Sequence, residues 1–192
     1  MYIRFLADTK LFDFLFQRDL ELAATFRKQD CPFCGGKLHQ GNYRRKPRGG
    51  PEGSGPELAI RLSFCCAEEN CRRRATPPSL RFLGRRVYFS VVFLLVGVLR
   101  HGATPKRVSQ LGKLIGVSAR TLARWRRWWQ VAFAASAFWK VAQGTHGLLC
   151  AACDLPHALL DRFSGEPRSR LLSCLRFLSP ITTPSFSGCR IF

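Results

Sequence analysis

The spacing of apolar and polar positions changes character twice along the chain, and the changes divide it into parts. Over residues 10–28, KLFDFLFQRDLELAATFRK, Leu11, Leu15, Leu22 and Phe26 recur near helical spacing among charges, which predicts an amphipathic helix. From Cys31 to about Leu83 the pattern shortens to strand-like pieces, KLHQGNYR and ELAIRLSFC, separated by RKPRGGPEGSGP. Glycine and proline dominate that separator, so it reads as a long, mobile hairpin tip. Residues 86–140 return to helical patterning, with helices expected near 86–100, 104–114 and 118–140, broken by HGATP and GVS. Two shorter apolar segments, 148–163 and 168–178, precede a tail, SPITTPSFSGCRIF, with little pattern.

The most apolar run, VYFSVVFLLVGVL at residues 87–99, is shorter than the roughly 20 residues of a spanning helix and is expected to be a buried core helix. No membrane partner is expected. Composition supports a packed protein, since 46% of the 192 residues are apolar.

Charge narrows the partner. Lys and Arg total 31 against 12 acidic residues, and between Cys71 and Cys153 there is no Asp or Glu, while residues 72–140 carry 15 Lys or Arg. Such a surface repels itself unless a polyanion is its neighbour, and nucleic acid is the commonest polyanion in a cell.

Nine cysteines, an odd number, together with an N-terminus lacking a long apolar region, point to a reducing compartment rather than a disulfide scaffold. In such a compartment clustered cysteines bind metal or sit buried as small apolar groups. CPFCGGKL at residues 31–38 has the Cys-x-x-Cys turn of a zinc-ribbon knuckle, with glycine after the second cysteine to permit positive φ. SFCCAEENCRRR, residues 63–74, offers three more thiols. On a strand Phe64 and Cys66 share one face and Cys65 takes the other, so only one of the doublet serves as a ligand. Cys31, Cys34, Cys66 and Cys71 are the expected set for one structural Zn2+, Cys65 is the expected core thiol, and Arg72, Arg73 and Arg74 are expected to contact phosphates. His146, Cys150, Cys153 and His157 recur at steps of four, three and four, the stripe of one helix face, which cannot surround an ion by itself.

RVSQLGKLIGVSARTLARWRRWW, residues 107–129, places Leu111, Gly112, Ile115, Gly116, Val117, Leu122 and Trp125 where a helix-turn-helix needs apolar, small and turn residues. Gly112 allows close helix approach, Gly116 a left-handed turn, and Ser118 a cap for the second helix. Arg120, Arg124 and Arg127 then stand at i, i+4 and i+7 on the free face, suited to the major groove, where arginine donates to guanine O6 and N7. Arg120 and Arg124 are the expected base readers. Thr121, Arg126, Lys106 and Arg107 are expected on phosphates. Trp128, Trp129 and Trp139 are read as core rather than stacking platforms.

A cysteine-knuckle ribbon followed by a basic helix-turn-helix resembles the DNA-binding region of bacterial insertion-sequence transposases, or of the accessory proteins encoded beside them. The likeness covers roughly residues 31–130. It implies recognition of transposon ends or of an operator, double-stranded DNA as partner, a transposase subunit as a second partner, and a cytoplasmic, nucleoid-associated location. The three-carboxylate catalytic half of such an enzyme is not legible: after Cys71 the only acids are Asp154, Asp161 and Glu166, within thirteen residues, so no enzyme activity is expected. A stand-alone transcriptional regulator and an RNA-binding or non-specific nucleic-acid protein use the same surfaces. Helix-turn-helix proteins often act as dimers, and no heptad seam marks one here. The expected architecture is mainly α with a small β zinc ribbon: an N-terminal helix (1–30), the ribbon (31–83), a three-helix unit (84–143), and short helices with a tail (144–192).

Overall fold

The computed structural model describes residues 2–84, 87–146 and 150–183. A 3₁₀ turn, Tyr2–Leu6, leads into α1, Thr9–Arg27, whose first turn is closed by Asp8 accepting a hydrogen bond from the Leu11 amide at 3.1 Å. The face marked by Leu11 and Leu15 is buried, with Phe12 between them, while Leu22 and Phe26 are partly buried.

Two small antiparallel sheets follow. One joins β1 (Leu38–Gln40), β4 (Phe64–Cys66) and β5 (Arg74–Ala75) in the order β1-β4-β5, and the other pairs β2 (Tyr43–Arg44) with β3 (Ile60–Arg61). The register sets Leu38 opposite Cys66 and Gln40 opposite Phe64, so the Phe64 and Cys66 side chains share one face, as the strand period requires.

The glycine- and proline-rich separator is not the free hairpin tip its composition predicts. The Arg48 amide donates to Val87 O at 2.9 Å, the Phe89 amide donates to Arg48 O at 3.2 Å, and Pro51 is buried. A Cβ on Gly50 would stand 2.7 Å from the Phe89 ring, and one on Gly49 would stand 3.0 Å from Val92. Glycine here lets the backbone lie against the next helix rather than loosening a loop.

That helix is α2, Ser90–Arg100, and the continuous run Val91–Val96 is buried, as expected of a core helix. Among the described residues no helix is long and apolar enough to cross a membrane. α2 starts at Ser90 rather than near residue 86 because Phe89 is held in a bridge to Phe82 and the Ser90 amide donates to Arg81 O at 2.8 Å. α3 (Pro105–Leu114) and α4 (Ala119–Arg127) follow. The single helix expected over 118–140 is divided: Trp128–Phe133 continues α4 at the wider π pitch, and α5 begins afresh at Ala137–His146. Ser136 makes the break, its hydroxyl donating to Phe133 O at 2.6 Å and accepting from the Trp139 amide at 3.1 Å. The wide turn accompanies the burial of Trp128, Trp129 and Phe133, with both indoles packed on Phe93 at centroid separations of 5.1 and 5.4 Å. Trp139 is buried as well, so these tryptophans are core residues.

Of the apolar segment expected over 148–163, residues 148 and 149 lie outside the described ones, and the rest holds a 3₁₀ turn, Ala152–Asp154, a cis Leu155–Pro156 bond and the short α6, His157–Asp161. Pro156 removes an amide donor and excludes the residue before it from helical torsions, which the apolar spacing does not reveal. α7, Pro167–Leu178, closes the helical part.

One large apolar core runs from α1 through α2 to α7 and takes in Leu58, Leu80, Phe82 and Leu83 from the sheet region; a second, smaller one lies under β1, β4 and β5. Charged groups cross the boundary between them. Asp19 on α1 and Arg81 are each at most 1% exposed and form an ion pair at 2.9 Å. Asp19 also accepts from the Ser79 hydroxyl and the Leu80 amide, both at 2.6 Å, while Arg81 donates to Leu58 O and Ile60 O, both at 2.8 Å. Arg61, 2% exposed, donates to Pro77 O at 2.6 Å; burial lowers its pKa to about 10, against the pull of Asp19, so it stays charged at neutral pH. The guanidiniums of Arg45, Arg61 and Arg81 all stand within 6.0 Å of the Phe82 ring.

Removing one partner of a buried pair leaves the other charge uncompensated. Asp19→Ala is therefore expected to cost about 3–5 kcal/mol in equilibrium urea unfolding. A loss near that of an ordinary surface change, within about 0.5 kcal/mol, would contradict the role given to the pair.

Candidate metal centre and basic helix surface

The sulfur atoms of Cys31, Cys34, Cys66 and Cys71 all lie within 4.8 Å of one another. Cys31 and Cys71 stand 3.8 Å apart, Cys34 and Cys66 3.4 Å. A disulfide needs about 2.05 Å, whereas thiolates about 2.3 Å from a tetrahedral ion are spaced by about 3.8 Å. The arrangement therefore suits four ligands around one ion, and these four cysteines could bind one metal.

Each half is built by a tight turn. In the first, the Gly35 amide donates to Cys31 O and the Cys31 amide to Gly36 O, both at 2.8 Å, and Gly35 takes φ +74°. In the second, the Cys71 and Arg72 amides donate to Glu68 O at 3.0 and 2.9 Å, and Arg72 itself takes a left-handed φ of 44°. Arg72 thus occupies after Cys71 the place that Gly35 occupies after Cys34, and a non-glycine residue there hid the likeness of the two halves. A side chain at Gly36 would stand 3.2 Å from Cys66 Sγ, so glycine keeps the cluster clear.

The thiols are not equivalent. Burial pushes the Cys31 pKa up, but hydrogen bonds from the Phe33 and Cys34 amides and the Cys34 and Cys66 thiols together bring it down to about 7. Burial pushes Cys66 up to about 12 despite the Glu68 amide. Phe64, beside Cys66, is buried and stacks on Phe26 of α1 at 6.1 Å. Cys65 points to the opposite face, where Gly41 leaves room for its sulfur: a Cβ there would be 2.8 Å away.

The other cysteine–histidine set does not form the helical stripe that its spacing suggests. Cys153 lies in the 3₁₀ turn and is exposed, Cys150 precedes it, and His157 begins α6 beyond the cis bond. His146 ends α5 and residues 147–149 lie outside the described ones; between Cys153 and His157, Pro156 excludes Leu155 from helical torsions, so α6 starts afresh. His157 instead stacks on His101 at 4.6 Å, with Nδ1 3.0 Å from Asp161.

α3 and α4 are joined by a tight turn at Gly116, φ +63°. A Cβ on Gly112 would stand 2.7 Å from Val117 O, so only glycine lets the two helices approach this closely. Ser118 caps α4, accepting from the Thr121 amide at 3.3 Å. Leu111, Leu122 and Trp125 are buried and Ile115 and Val117 are partly buried against them.

On the other side of α4, Arg120, Arg124 and Arg127 are exposed. Arg124 donates to Thr121 Oγ1 at 3.3 Å, which holds its side chain along the helix. Arg126 is exposed on a flank, and Lys106 and Arg107 are exposed at the start of α3. Arg72, Arg73 and Arg74 are exposed at the end of the cysteine region, well separated in sequence from α4. Two aromatic neighbours of these arginines were not singled out from sequence: Phe33 under Arg73 and Tyr43 under Arg74, each at 5.2 Å. Isolated exposed aromatics carry no spacing signal.

No protein-family model matches the chain, and comparison with curated proteins and with solved structures returns no match.

Folded protein is expected to carry one metal ion per chain by elemental analysis. Cys71→Ser should lose it and lower the melting temperature, while Cys65→Ser should keep it. Retention of a full equivalent by Cys71→Ser would remove that residue from the site.

Proposed function

We propose that the chain is a sequence-specific double-stranded DNA-binding protein in which α3, the Gly116 turn and α4 act as a helix-turn-helix. The observation that carries this reading is the division of α4 into two faces. Leu122 and Trp125 anchor one in the core, and Arg120, Arg124 and Arg127 project from the other. A helix so anchored can lie in the major groove, where each arginine can donate two bonds to one guanine.

The cysteine cluster is proposed to hold zinc. Its all-sulfur, four-ligand composition suits a soft-accepting tetrahedral ion, and with every position filled by protein the ion has no open site for chemistry. Its function is then to fix the ribbon, which would otherwise rest on a very small core. A second stretch of backbone phosphate is proposed to lie against Arg72, Arg73 and Arg74, all exposed; of these Arg74 is already tied to Ser63 Oγ at 2.7 Å and Arg72 stands 3.8 Å from Glu69. The narrower form of the proposal, a DNA-binding or accessory component of a transposition system, rests on the resemblance of the two motifs. A second reading, single-stranded or RNA binding, draws support from Phe33 and Tyr43, each 41% exposed beneath an arginine, as bases stack on such pairs.

Selection of bound duplexes from a random-sequence pool at physiological salt is expected to enrich a motif that the Arg120→Ala, Arg124→Ala double variant no longer enriches. Affinity for that motif should fall by about 10³- to 10⁵-fold between 50 and 200 mM salt if six to ten phosphates are contacted. Tight binding with no enrichment, reduced instead by Phe33→Ala or Tyr43→Ala, would favour the second reading.

A further inference from the structure

On the flank of α4, away from the arginine row, lies a cleft of about 340 Å³ that neither the metal centre nor the reading face uses. Its walls are the end of α2 (Gly97, Arg100, His101), Arg126 and Gln130, and the turn at Cys153 to Pro156. From helical geometry Arg126 stands roughly 120° around α4 from the centre of the row. The cleft is therefore a separate surface of the same helix.

The charges in it are unbalanced. Arg100 and Arg126 repel each other: burial lowers the Arg100 pKa and the neighbouring Arg126 lowers it further. No carboxylate forms an ion pair with either guanidinium among the described residues, although Asp154 shares the wall. Asp154 accepts from the Cys153 thiol at 3.6 Å. His101 is held flat against His157, 4.6 Å away with 16° between the planes, and His157 is in turn oriented by Asp161. The walls are braced as well. Gln130 donates to Cys153 O at 2.7 Å, Arg100 donates to Leu122 O, and a Cβ on Gly97 would stand 2.6 Å from Pro156.

We propose that this cleft binds a phosphate group, with Arg126 and Arg100 receiving its oxygens and His101 supplying a third donor. Two neighbouring guanidiniums that line one cleft and form no ion pair among the described residues are relieved by an anion, and guanidinium forks match phosphate oxygens. Asp154 in the same wall suits a neighbouring hydroxyl, so the ligand class is a phosphate ester rather than a bare ion. The volume accommodates a small one. Such a group has two sources, a free phosphate ester or a phosphate of a duplex lying along α4, and only the second rests on the DNA reading.

The test uses the full chain with adenosine 5′-monophosphate, inorganic phosphate and duplex DNA as probes. Arg126→Gln is the informative variant, because the exposed Arg126 side chain makes no hydrogen bond or ion pair among the described residues, whereas Arg100 braces α4. If the source is free, the monophosphate binds at one site per chain by calorimetry, at least tenfold more weakly to Arg126→Gln and unchanged to Arg120→Gln. If the source is the duplex, the monophosphate does not bind at millimolar concentration. Arg126→Gln then weakens duplex binding equally across sequences and reduces the salt slope by about 1. Arg126→Gln with an unchanged melting temperature and no effect on either ligand would overturn the proposal. Motif-selective duplex binding that survives the Arg120, Arg124 double variant would fail the DNA reading while leaving the monophosphate result to decide the cleft.

Discussion

The buried pair of Asp19 and Arg81 is the constraint on which the arrangement of the molecule depends. It ties α1 to the segment at Leu58–Ile60 and to the turn at Ser79–Leu80. Buried ion pairs are weak sources of net stability, since desolvation cancels much of the attraction. What this one contributes is placement. Five hydrogen bonds among three segments are satisfied together in one geometry, and displacing any segment would strand a charge in the core. The cysteine region is thereby fixed to the helical core from one side, and the docking of Arg48 and Gly50 on Phe89 fixes it from the other.

With that frame rigid, the distribution of charge has functional meaning. Several of the acids are already engaged, Asp19 in the core, Glu21 with Arg18 and Asp161 with Arg170. The stretch from α2 to α5 contains none, so the exposed arginines of α4 have no local counter-ions along their row. A cationic surface on an anchored helix without local counter-ions is electrostatically incomplete, which is why a polyanion is the proposed partner. The same logic extends to the flank, where Arg100 and Arg126 face one another across a cleft.

Features with short, periodic chemistry were legible in the sequence. The spacing of Cys31 and Cys34, the strand alternation that allowed only one of Cys65 and Cys66 together with the Phe64 that favoured Cys66, and the order Leu111, Gly112, Gly116, Leu122, Trp125 each encode a local geometry. The structure brings the four cysteines together and buries the apolar positions of α3 and α4 as those spacings require. What stayed hidden depends on partners distant in sequence. Glycines at 49 and 50 resemble those of a free loop, because Phe89 and Val92, against which they lie, are some forty residues away. Asp19 looked like one of several charges on an amphipathic helix until Arg81 was placed beside it. The break after Phe133 follows from a serine hydroxyl turned back on its own helix, and the loss of the expected helix through Cys153 from a single proline. Arg100 and Arg126 carry no mutual signal, since no motif links the end of one helix to the flank of another.

The proposed reading of guanine edges in the major groove by α4 is open to methylation interference. Methylating guanine N7 in a bound duplex blocks that edge without touching the minor groove or the phosphates. A few N7-methylated guanines are expected to abolish binding by the native chain, and this sensitivity is expected to disappear when Arg120 and Arg124 are replaced. Binding indifferent to N7 methylation at every guanine would contradict it.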